Sequence, residues 1–115
     1  MCHFRHRGHD DPFFLPGLQD ITAHVNFTGM AQMASDHGLD VICYASQASF
    51  LLASGLPDLL SNGSAESGNS RAGQLQAVQK LLSPAEMGEL FKVMVLGHKI
   101  EPPAFMLDID KSGRL

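Results

Sequence analysis

Met87-Gly88-Glu89-Leu90-Phe91-Lys92-Val93-Met94-Val95-Leu96-Gly97 is the stretch that decides the fold. From Leu90 to Leu96 only Lys92 is polar. The run is too short for a buried helix, glycine bounds it on both sides, and it carries two Val and a Phe. These features predict a β-strand. A half-exposed strand alternates apolar and polar residues. This one does not from Val93 onward, which predicts cover on both faces. Leu39 to Ala45 (Leu-Asp-Val-Ile-Cys-Tyr-Ala) is the other comparable strand. Two strands alone make an unstable sheet in water unless further strands or helices cover them.

Working outward, Asn26 is placed to cap a helix in which Phe27, Met30, Ala31 and Ala34 share one face, with His37 in the last turn and Gly38 just past it. The Leu39 strand follows at once. Ser46 caps a second short helix carrying Phe50, Leu51 and Leu52, and Pro57 to Ser61 forms a further helical segment. Residues 62–70 are small and polar and predict a flexible surface loop. Ala72, Leu75, Val78 and Leu82 trace another helical stripe. Ser83-Pro84-Ala85-Glu86 has the form of a capping box. Pro102 and Pro103 close the central strand, and Ala104 to Leu107 reads as a last strand. Residues 1–19, punctuated by Gly8, Pro12, Pro16 and Gly17, read as loop. The chain thus divides into 1–19 loop, 20–61 helix-strand-helix, 62–70 loop, and 71–115 helix, central strand and final strand. Parallel and antiparallel pairing of the two main strands both remain open from this pattern.

The 115 residues suffice for one small domain. The net charge of -4 comes with no basic block, which argues against nucleic acid as a partner. No apolar run is long enough to span a bilayer, so no membrane role is expected. The start carries charge without an apolar core and is not expected to act as a secretory signal. Cys43, inside a strand, reads as a free buried thiol, which fits a reducing cytoplasmic setting.

Several groupings carry possible chemistry. Cys2, His3, His6 and His9 are the most metal-like, because zinc takes Cys and His ligands. The glycine and prolines around them, and the lack of a second Cys/His pair, favour a solvated loop with scattered His instead. Asp20, Thr22 and His24 alternate, so on a strand they project to one side. A carboxylate, a hydroxyl and an imidazole together position a substrate or move a proton. The plainer account has Asp20 and Thr22 bonding a loop backbone. Gln47 follows a strand end and opens a helix, a place where open α/β sheets present side chains to ligands. A solvated Gln beside a capping Ser is the simpler account. Lys92 interrupts the central strand and reads as a stem packed inside with its ammonium at the edge. No phosphate-binding or dinucleotide-binding glycine loop and no nucleophile elbow is present.

Three blocks carry a resemblance: Gln19 to Phe27 (Gln-Asp-Ile-Thr-Ala-His-Val-Asn-Phe), Ser46 to Leu51 (Ser-Gln-Ala-Ser-Phe-Leu), and Leu81 to Val93. In that order they resemble the carboxyl-terminal part of the MidA-like S-adenosylmethionine-dependent methyltransferases, the family of the complex I assembly arginine methyltransferase. The resemblance covers nearly the whole chain. It implies the α/β, class I (Rossmann-like) methyltransferase fold, with Leu39 to Ala45 as its sixth strand and Leu90 to Leu96 as its seventh. These would be antiparallel neighbours in an incomplete sheet. Asn26 stands where the family usually has Asp.

The resemblance further implies that the residues binding the cofactor, a glycine-rich loop and an acid, lie outside this chain. No cofactor-binding residue is therefore assigned, no metal ligand is expected, and the segment is expected to be inactive alone. Asp20, Thr22, His24 and Gln47 become candidate substrate contacts, and a protein becomes the implied substrate or partner. A different class of function stands beside this one: a free-standing interaction module without enzymatic activity, docking or self-associating through an uncovered sheet edge.

Overall fold

The computed structural model describes residues 1–62 and 68–115. Two sheets and five helices are present among them. A small sheet is built from β1 (Cys2–Phe4), β2 (Arg7–His9) and β3 (Asp20–Ile21), in the order β2-β1-β3 with both pairings antiparallel. The chain then forms α1 (Phe27–Asp36), β4 (Asp40–Ser46), α2 (Gln47–Ala53), α3 (Leu56–Asn62), α4 (Gly68–Leu82), β5 (Lys92–Gly97), α5 (Ala104–Ile109) and a 3-10 turn at Ser112–Arg114. β4 and β5 form a two-stranded antiparallel sheet.

The Asn26 side chain accepts the Gly29 amide and starts α1. Gly38 follows it at φ +76, a left-handed conformation that glycine adopts without strain. That turn feeds directly into β4. Its strand residues Ile42, Cys43 and Ala45 are the buried core, with Val95, Met106 and Ile109 packed against them. Ile42 is the extra residue of a bulge between Val41 and Cys43. A side chain at Gly97 would run into Ile42, so a glycine ends β5 where the bulge crowds it.

The end of β4 passes without a break into α2. Ser46 caps that helix through the Ser49 amide, while the amides of Gln47 and Ala48 donate to the carbonyls of Phe91 and Gly88. The turn before β5 therefore satisfies the open amides of the helix start. On the far side of β4, Asp110 and Lys111 cover the strand edge. The Tyr44 amide donates to Asp110 Oδ1 at 2.9 Å, and the Lys111 amide donates to the Tyr44 carbonyl at 2.7 Å.

The antiparallel pairing settles what the sequence pattern left open. Other expectations change. Residues 1–19, read as loop, contain the β1–β2 hairpin. Its turn residues Arg5 and His6 both have positive φ without being glycine, so the usual turn signal is missing. Ala104 to Leu107, read as a strand, lies in α5. Its residues are mostly helix formers, Pro103 stands at the N-cap, and Phe50 and Phe105 meet with ring centroids 6.4 Å apart. The central strand begins at Lys92 rather than Leu90, because Phe91 is already engaged with the start of α2. Ser83 does not cap a helix. Its carbonyl accepts from the Glu86 and Gly88 amides in a chain of turns. Of the loop expected at 62–70, Asn62 ends α3 and residues 68–70 open α4, while 63–67 lie outside the described residues.

Val93, Met94 and Val95 are half-buried, although their pattern asks for cover on both faces. The Cα radius of gyration is 18.0 Å, against about 13 Å expected for a compact chain of this length. Among the described residues, no helix is long and apolar enough to cross a membrane.

Candidate functional site

The four candidate residues fall into two settings. Asp20 lies on β3 opposite His3. Thr22 continues that strand: its amide donates to the Met1 carbonyl at 2.8 Å, and its hydroxyl donates to the same oxygen at 3.2 Å. The Met1 ammonium returns a bond to the Thr22 carbonyl. His24 stands beyond the strand. All three are exposed. Gln47 opens α2, half-buried, and its amide donates to the Leu81 carbonyl at 3.0 Å, tying α2 to the end of α4.

The hydrogen-bond assignments separate these roles. Thr22 and Gln47 spend their polar atoms on backbone carbonyls. Among the described residues, the Asp20 carboxylate and the His24 imidazole have no hydrogen-bond partner. No hydrogen bond or ion pair links any of the four to another. The alternation that suggested a shared face holds in strand geometry only from Asp20 to Thr22.

Cys2, His3 and His9 do come together in the small sheet, where Cys2 pairs with His9 and is buried. His9 Nδ1 accepts the Asp11 amide, and its ring meets Phe14 edge-on at 5.3 Å. Among the described residues, no group of three or more His, Cys, Asp or Glu is arranged to hold a metal ion.

Sequence reasoning missed a polar cleft of about 190 Å³ at the carboxyl end of β4. It is lined by Tyr44, Ala45 and Ser46, by Glu89 and Lys92 around the start of β5, and by Lys111 and Arg114 from the last turn. Lys92 Nζ reaches Glu89 Oε2 at 3.5 Å and also donates to the Glu89 carbonyl. The Ser46 hydroxyl holds the Glu89 carboxyl below its ordinary value; desolvation opposes this, and the charges of Lys92 and Lys111 add to it. On the same strand, burial and then the Asp110 charge push the Cys43 thiol up, which favours its protonated form. Of the cleft's lining, Ser46 and Lys92 were conspicuous in the sequence, one as a helix cap and the other as the break in the apolar strand. Lys111 and Arg114 belong to no motif and reach the cleft through the Tyr44 contact, which joins positions far apart in the chain.

Comparison with known proteins adds to this geometry. Residues 1–45 match the model of a family described as "Putative S-adenosyl-L-methionine-dependent methyltransferase". No curated protein matches the chain significantly. Among solved structures, the chain is 45% identical to a "likely methyl transferase from Burkholderia thailandensis" solved bound to S-adenosyl-homocysteine. The match has a TM-score of 0.85 and covers 100% of this chain and 30% of that one. A second structure, an uncharacterized protein of the same superfamily from Burkholderia thailandensis, matches at 45% identity and a TM-score of 0.84, over 100% of this chain and 31% of that one. The chain thus spans about a third of the length of the structures it matches. Its helices and small antiparallel sheet have the fold of a carboxyl-terminal part of a methyltransferase.

Proposed function

We propose that these 115 residues form the carboxyl-terminal, substrate-side portion of an S-adenosylmethionine-dependent methyltransferase acting on arginine side chains of proteins, of the MidA-like kind. The observation that carries the reading is the match along the whole chain, at 45% identity, to a structure solved with S-adenosyl-homocysteine bound.

The residues present do not fit a cofactor cradle. Side chains at Gly88 and Gly97 would meet Leu82 and Ile42, so these glycines are closed by packing within the chain. Gly17, Gly38 and Gly55 serve turns and helix ends at positive φ. The cofactor supplies a sulfonium methyl group, and the portion described here contributes on the acceptor side. An arginine nitrogen must be held in line with that methyl group and must lose a proton when the new N–C bond forms. The exposed Asp20 carboxylate suits the first task by pairing with a guanidinium. His24 or Asp20 suits the second as proton acceptor. Thr22 and Gln47 position the strand and helix that carry the site.

Two measurements test this. In a complete homologue, Asp20→Asn and His24→Ala at the matching positions should each lower turnover by about a hundredfold. Unchanged turnover and unchanged binding of an arginine peptide would remove both residues from the site. Calorimetric titration of S-adenosylmethionine into the present chain should give no heat of binding. Saturable micromolar binding would show a cofactor site within these residues.

A further inference from the structure

The cleft at the end of β4 holds three cationic side chains and one carboxylate. Lys92 is matched by Glu89 at 3.5 Å. Neither Lys111 nor Arg114 has a carboxylate within ion-pair distance among the described residues. The other acid close by, Asp110, is already committed. Its Oδ1 accepts the Tyr44 and Ser112 amides, each at 2.9 Å, and its Oδ2 accepts the Ser112 hydroxyl at 2.6 Å. Those bonds fix the turn that carries Lys111 and Arg114 against the edge of β4, and the Lys111 amide bond to Tyr44 adds a further tie. The two unmatched cations are thus presented from an anchored backbone. The wall formed by β4 adds Ser46, only 2% exposed, whose hydroxyl already donates to Ser49 Oγ at 2.9 Å, so it shapes the cleft without supplying a donor.

Charge concentrated in a small recess with a low-dielectric wall attracts ions of opposite sign more strongly than the same charge on an open surface. A guanidinium beside an ammonium offers several directed N–H donors, which suits an oxyanion with two or three acceptor oxygens. A volume of about 190 Å³ admits a single acidic group and not a large ligand. We infer that the cleft where Lys92, Lys111 and Arg114 converge beside β4 is an oxyanion-binding site, taking one carboxylate or phosphate group, with Glu89 as a built-in counterweight that keeps affinity modest. Neither the ligand chemistry nor its test depends on methyl transfer.

The test uses the 115-residue chain, isotopically labelled and kept dilute. Inorganic phosphate and acetate are titrated separately while the amide resonances of Tyr44, Ser46, Lys111 and Ser112 are followed. At least one anion should give saturable shifts confined to these amides, with millimolar affinity. Tighter binding of phosphate than of acetate assigns the site to phosphorylated ligands, and comparable binding assigns it to acidic side chains. Lys111→Ala combined with Arg114→Ala should weaken binding about tenfold. Glu89→Gln, a surface change that spares the fold, should tighten it about threefold by removing a like charge. Absence of saturable shifts with both anions overturns the inference. So does a Glu89→Gln variant that binds no better than the parent, because the matched Lys92–Glu89 pair would then not be competing with the ligand.

Discussion

Asp110 shows how much one side chain holds together. Burial pushes its carboxyl up, and the Ser112 hydroxyl with the amides of Tyr44, Ser112 and Lys111 outweighs that push, leaving it below the ordinary Asp value. A depressed carboxyl stabilises the folded state fully above its unfolded pKa of about 4, and that contribution is lost as pH falls through the lower folded value. Thermal stability should therefore decline as the pH is taken from about 5 downward, and Asp110→Asn should flatten that decline. Asp110→Ala should cost about 1 to 2 kcal/mol at neutral pH, the low end for bonds to a charged group because the carboxylate is only part-buried. An acid melting series on the two variants checks both, and an Asp110→Asn profile as steep as that of the parent would show that other carboxylates control it. Nothing in the sequence marked this residue as a tie to β4, because Tyr44, the partner that links it there, lies 66 positions away. The same distance effect hid Lys111 and Arg114. Asp20, Thr22 and His24 were visible as an alternating set, yet what divides them is whether a hydrogen-bond partner already occupies each side chain, as the Met1 carbonyl does for Thr22. Spacing carries no information about that.

Among the elements, legibility followed the locality of the forces. α1 was readable because its cap, its apolar face and its terminal glycine all lie within one short segment. The start of α2 was readable from Ser46 for the same reason. α5 was not: a short apolar run after two prolines serves equally as strand or helix, and the choice is made by packing against Phe50 and β4. Leu90 and Phe91 extended the apparent strand because apolarity alone does not distinguish strand from turn. Here the turn has its own requirement. Gly88 donates to the Ser83 carbonyl at 2.8 Å and accepts from the Ala48 amide at 3.0 Å, and a Cβ on it would strike the Leu82 carbonyl. That obstacle is backbone and cannot swing aside. Gly88→Ala should lower stability by about 1 to 3 kcal/mol, as overpacking does elsewhere, and should loosen α2 together with the turn. Denaturant titration, with hydrogen exchange at the Gln47 and Ala48 amides, measures this. Full stability with protected amides would mean that the turn rearranges at little cost.

At the scale of the whole molecule, the fold satisfies one edge of its main sheet and leaves much apolar surface in water. The edge of β4 is covered by Asp110 and Lys111, a device that blocks further pairing at Tyr44. β5 pairs with β4 on one side, and its residues Val93, Met94 and Val95 stay half-buried although their sequence suits full cover. Leu90 is 72% exposed, Met33 63% and Ile100 64%, far more large apolar surface than scattered single residues account for. The 18.0 Å radius of gyration states the same excess of surface in another way. Surface of this kind is stabilised by association, at roughly 25 cal/mol for each Å² of apolar area removed from water. The 115-residue chain should therefore self-associate as its concentration rises, and its melting temperature should rise with it, because a dimer or larger assembly gains stability by mass action. Sedimentation velocity across a concentration series, paired with melts at the same concentrations, reads both. A monomer at every concentration with one sharp, concentration-independent transition would show that β4 and β5 with their helices already form a sufficient core.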